Sequence, residues 1–134
     1  MSDEKNLWGD IEELPEQVSP LQILAEQASA LGRATRGVLH GDVIRRTSRD
    51  GTEIEATLYV VAPMLDDYRY SVCHATYDPS ASYPVRLKPT AEKNPVVTRC
   101  GDDVEFSDSL AKILQSPTVK NAVASLIRES KAKS

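Results

Sequence analysis

The sequence predicts an α+β domain, with an N-terminal helix, an antiparallel β-meander of four to five strands, and two C-terminal helices packed on the sheet. Residues 37–88 hold short strand-like runs separated by turn signals at Asp50-Gly51, Asp66-Asp67 and Asp78-Pro79. Ser19-Pro20 and Ser116-Pro117 each place a capping residue before a proline in the first helical position. Strands gathered between helices, rather than alternating with them, indicate an antiparallel sheet with segregated helices.

The first helix starts at Ser19, with Gln22 where a capping-box partner belongs. Leu21, Leu24, Ala28 and Leu31 form its apolar stripe, widened by Ile23 and Ala34, and Gly32 or Gly37 ends it. A turn at Asp50-Gly51 sets the first hairpin so that Val43 faces Leu58, Gly41 faces Val60 and Leu39 faces Ala62. Those six residues share the core side. His40, Asp42, Ile44, Thr57 and Tyr59 share the other.

The third strand, Arg69–Tyr77, has two competing apolar parities: Tyr70, Val72 and His74, or Cys73, Ala75 and Tyr77. Tyr70 and Val72 are expected to point inward. A short fourth strand is expected over Tyr83–Leu87 and a fifth over Val96–Arg99, with Gly101-Asp102-Asp103 turning out of it. Ser107 is expected to cap the next helix, with Phe106 as a staple residue. In the final helix Val119, Ala122, Val123, Leu126 and Ile127 recur at i, i+3, i+4, i+7 and i+8.

The domain plan is an acidic tail over 1–18, one domain over 19–130 and a frayed end over 131–134. The tail carries Asp3, Glu4, Asp10, Glu12, Glu13 and Glu16 against Lys5. Within it Leu7, Trp8, Ile11 and Leu14 have roughly helical spacing. They suit either a short docking helix or a fold-back over an open edge of the core. No apolar run approaches the roughly 20 residues that span a bilayer, and the N-terminus lacks the apolar segment of a signal peptide. Two cysteines make no disulfide framework, so a reduced, cytoplasmic setting is expected.

Chemistry is sparse. No nucleotide-binding glycine pattern, nucleophile elbow or metal-ligand spacing is present, so no cofactor and no metal are expected. Cys73 and Cys100 lack redox-motif spacing and read as buried thiols, a pair only if the third and fifth strands adjoin. The adjacent acids Asp66-Asp67 and Asp102-Asp103 read as solvated turns. His40 and His74 read as ordinary sheet residues.

The best candidates for interaction are Trp8 in the tail, Arg45, Arg46 and Arg49 near the first hairpin tip, and the trio His40, Asp42 and Tyr59 on one sheet side. The arginines suit a phosphate backbone or an acidic surface. Their small number on a chain of net charge -4 argues against nucleic acid. Tyr59, Tyr68, Tyr70, Tyr77 and Tyr83 suit the rim of a core or an interface.

The run Ser19-Pro20-Leu21-Gln22-Ile23-Leu24-Ala25-Glu26-Gln27-Ala28, continued by Leu31-Gly32, resembles one in small uncharacterised bacterial proteins. Those proteins also share a Tyr68-Arg69-Tyr70 strand, a Tyr83-Pro84-Val85 strand and a final helix like Leu110–Ser130. The resemblance implies a bacterial, cytoplasmic, single-domain protein and brings no functional residues. The expected function is a small non-enzymatic protein-interaction module: an adaptor, regulatory subunit or neutralising partner. One alternative is a small-ligand binder or minor enzyme with a pocket between sheet and helices, using His40, Asp42 and Tyr59. Another is a weak nucleic-acid binder through the arginine-rich hairpin. A homodimer through an exposed edge strand is a further expectation.

Overall fold

The structure, a computed structural model, describes residues 7–9 and 17–133. Helix α1 spans Pro20–Ala34. Strands β1 (His40–Thr47), β2 (Ile54–Ala62), β3 (Tyr68–Tyr77), β4 (Val85–Lys88) and β5 (Thr98–Cys100) follow, and then helices α2 (Asp103–Leu114) and α3 (Pro117–Lys133). The five strands form one antiparallel sheet in chain order. This is the predicted α+β arrangement.

Ser19 caps α1, its hydroxyl accepting from the Gln22 N–H. The Gln22 side chain does not close a capping box; it donates to Glu26 one turn on. Gly32 lies inside the helix. The chain leaves it through Thr35, Arg36 and Gly37, and the last two take left-handed φ values of 53° and 81°. The Gly37 N–H donates to the Gly32 carbonyl at 2.8 Å, which closes the helix end.

The hairpin register is the predicted one, with Val43 opposite Leu58 and Asp42 opposite Tyr59. Its connection is longer than two residues. The Ser48 N–H donates to the Glu53 carbonyl at 2.7 Å, and Gly51 turns the chain between them at φ 78°. Asp50 braces this loop by accepting from Ser48 and from Thr52.

At β3 both sequence parities hold, each for part of the strand. Leu58 pairs with Cys73 and Tyr59 with Ser71, so Val72 is an extra residue, a β-bulge. Before it Tyr70 and Val72 face the core; after it Cys73, Ala75 and Tyr77 do. His74 is thereby turned to the outer face.

Later elements shift from expectation. β4 begins after Pro84, which has no N–H to give a ladder. β5 starts at Thr98, leaving Val96 and Val97 exposed. Asp102, not Ser107, caps α2: its carboxylate accepts from the Glu105 N–H at 2.8 Å, while Glu105 accepts from Gly101. Phe106 is a fully buried helix residue rather than a staple. Ser116 caps α3 as expected, and α3 runs to Lys133.

All three helices lie on one side of the sheet. A single core cluster joins Ile23, Leu24 and Ala28 of α1, Phe106 and Leu110 of α2 and Val119 of α3 to Leu58, Val60, Val85 and Leu87. Tyr77 and Tyr83 are buried in it, whereas Tyr68 is exposed. In the tail, Leu7 and Trp8 are 89% and 82% exposed, so neither folds back over the core; Ile11 and Leu14 lie outside the described residues.

Candidate functional site

The helix side of the sheet carries a groove. α1 seats closely on β1, because Gly41 offers no side chain and Ala28 comes down onto its backbone. α3 packs instead on the single helical turn Pro63–Leu65, on β2 and on α2. Only the first turn of its apolar stripe is sealed: Val119 is buried, while Val123, Leu126 and Ile127 stay half-exposed.

The space left between α1 and α3 is a cavity of about 420 Å³. Gly41, Leu58, Val60 and Val72 floor it. Ala28, Leu31 and Ala34 wall it on one side, and Val119, Val123 and Ile127 on the other. Its polar side chains are Gln27 and Lys120; Tyr59 borders it as the residue between Leu58 and Val60 on β2. The Tyr59 ring itself lies on the other sheet face, with the Arg69 guanidinium 5.5 Å from its centroid. The groove therefore presents apolar surface with no converging acid, base or nucleophile.

The opposite sheet face holds the trio His40, Asp42 and Tyr59. Asp42 and Tyr59 are cross-strand neighbours, as the register required. Arg69 ties them together, donating to Asp42 at 2.8 Å while lying over Tyr59. The carboxylate that would serve as a base is thus held in an ion pair. His40 stands at the end of the strand, its Nδ1 3.5 Å from the Gly41 carbonyl.

Further along this face His74 bonds Thr57 at 2.8 Å, with Nε2 3.8 Å from Glu55. Burial lowers the His74 pKa, against the pull of Glu55. Arg86 is paired with Glu53 at 2.9 Å. A ladder of paired charges facing solvent results.

The hairpin arginines are not gathered on one face. Arg45 lies opposite Ala56 and Arg46 opposite Glu55, so successive side chains leave on opposite sheet faces. Arg46 is bonded to Glu55 at 3.2 Å, and Arg49 sits in the loop. Cys73 and Cys100 are buried and free, and β4 separates their strands, which removes the condition for a redox pair. Burial pushes the Cys73 thiol up to about 12. Among the described residues no three His, Cys, Asp or Glu side chains are placed to hold a metal ion, and no helix is long and apolar enough to cross a membrane.

A pocket between sheet and helices is expected from the sequence, but at His40, Asp42 and Tyr59; neither His40 nor Asp42 lines the groove, whose lining depends on how far α3 stands from α1. A faint signal was present: Ala30 and Ala34 of α1 and Ala124 of α3 are small residues beside each apolar stripe, and all three line it. Comparison with protein-family models, with curated proteins and with solved structures found no match.

Proposed function

We propose that this chain is a small non-enzymatic protein-interaction module of a reducing, cytoplasmic setting, and that the groove between α1 and α3 is its receptor element. Its role is that of an adaptor, regulatory subunit or neutralising partner. The supporting observation is the apolar lining, which lacks the converging polar groups that fix a substrate or small ligand. Two helical walls over a sheet floor suit the apolar face of an amphipathic segment from another protein, read through a few anchoring side chains. Lys120 at the groove complements an acidic residue flanking those anchors.

The test is affinity capture from the native host with the wild-type chain beside Ala124→Glu. Ala124 is exposed on α3, so a charge there enters the groove without disturbing the core. A partner held by wild type and released by the variant supports the reading. The same proteins retained by both, or none by either, count against it.

The cavity size supports a second reading, since about 420 Å³ also falls within the range of small-ligand sites. Thermal stabilisation of the purified chain by an apolar compound, abolished by Ala124→Glu, would favour that reading.

A further inference from the structure

The sheet has two edges, and they differ. β5 is three residues long, too short to template another strand. β1 is eight residues long, contains no proline or lysine, and pairs with β2 without a bulge along its whole length. Its middle is open: Ile44 is 48% exposed.

The hairpin closure fixes which backbone groups face outward. Ser48 donates to Glu53, and hydrogen-bonded pairs recur at every second residue of an antiparallel ladder. His40, Asp42, Ile44 and Arg46 therefore point their N–H and C=O groups at β2. Those of Gly41, Val43, Arg45 and Thr47 point away from the sheet. Leu39, the next outward residue, is satisfied by the Thr35 hydroxyl, which bonds both its N–H and its carbonyl. Among the described residues the one further contact to these outward groups is the 3.5 Å approach of the His40 ring to the Gly41 carbonyl.

We propose that β1 pairs antiparallel with β1 of a second copy, about a two-fold axis through Ile44. The outward set 41, 43, 45 and 47 is symmetric about residue 44. Gly41 then bonds Thr47 of the other copy, and Val43 bonds its Arg45, leaving no outward group of the set unpaired. Paired residues share parity, so the helices of both copies stay on one side of a continuous sheet. On the open face Ile44 meets its own counterpart, and Asp42 faces Arg46 of the other copy twice over. Those side chains occupy the closely spaced, non-hydrogen-bonded positions.

Sedimentation equilibrium of the full chain tests this. The expected species is a dimer of the 14.7 kDa chain. Arg45→Pro removes an outward N–H without touching the β2 ladder and makes the chain monomeric. Asp42→Arg and Arg46→Asp each place like charges across the axis and weaken the dimer by about tenfold or more. Mixing those two variants restores the dimer as a heterodimer, because each then presents the charge the other lacks. A fold defect in either variant could not give that recovery. A wild-type monomer at the highest soluble concentration, a dimer indifferent to Arg45→Pro, or no recovery on mixing would overturn the proposal.

Discussion

A Cβ built on Gly41 would stand 2.4 Å from the Ala28 Cα and 2.8 Å from the Ala28 carbonyl oxygen. These are backbone atoms of α1, which no side-chain rotation can move aside. Gly41→Ala must lift the helix from the sheet, and we expect a loss of about 3 kcal/mol in urea unfolding. Gly32→Ala is the control: its Cβ meets nothing closer than 4.0 Å, and helix propensity favours it.

Ser130 is 1% exposed, and its hydroxyl has no hydrogen-bond partner among the described residues. Replacing it with alanine removes a buried polar atom and retains the helix. Ser130→Ala is expected to raise stability by about 1 kcal/mol, read as a higher denaturant midpoint at unchanged m. A lower midpoint would show that the hydroxyl is satisfied in solution.

Asp102 and Glu105 form a reciprocal cap on α2, and the neighbouring Asp103 accepts from the Val18 N–H at 3.0 Å. Asp102→Ala should cost about 1 kcal/mol, and Ser107→Ala much less, since Ser107 lies within the helix. Equal losses would return the cap to Ser107.

His74 has its pKa lowered, first by burial, so the folded state prefers the neutral ring. A depressed histidine contributes stability that is full above the unfolded value near 6.5 and is lost as pH falls below it. Unfolding free energy should therefore decline on acidification below about pH 6.5, and the decline should shrink in His74→Gln. An unchanged slope would assign the acid sensitivity elsewhere.

Cys73 behaves with the opposite sign. Its thiol is raised from 9.0 to about 12, so its contribution is full below pH 9 and is lost as pH climbs toward 12. Burial also shields it, as it does Cys100 elsewhere in the core. Neither thiol should react with Ellman's reagent in the native chain at pH 8, and both should react once unfolded.

Local signals read well in this sequence because their causes are local. The Ser19 cap, the Ser116 cap and the hairpin register each follow from a few neighbouring residues. Asp102 and Glu105 carry a capping-box spacing too, but the preceding glycine made them read as a turn. The parity of β3 had no single answer, because the bulge at Val72 makes each parity correct on one side of it. A pocket between sheet and helices was legible as an alternative, but its lining was not: Val123 and Ile127 have the spacing of sealed core residues, and only the stance of α3 leaves them open.

The bulge also sets how β3 tolerates a change of length. Loss of Val72 alone would turn the strand into an unbroken alternation, with Tyr70, Cys73 and Ala75 still inward and Ser71 and His74 still outward. Elsewhere after the bulge, as at Ala75, losing a residue would turn His74 toward the core. The strand thus holds one residue whose loss would keep the alternation of both faces, at the cost of a buried side chain and of the carbonyl that accepts from the Thr90 N–H.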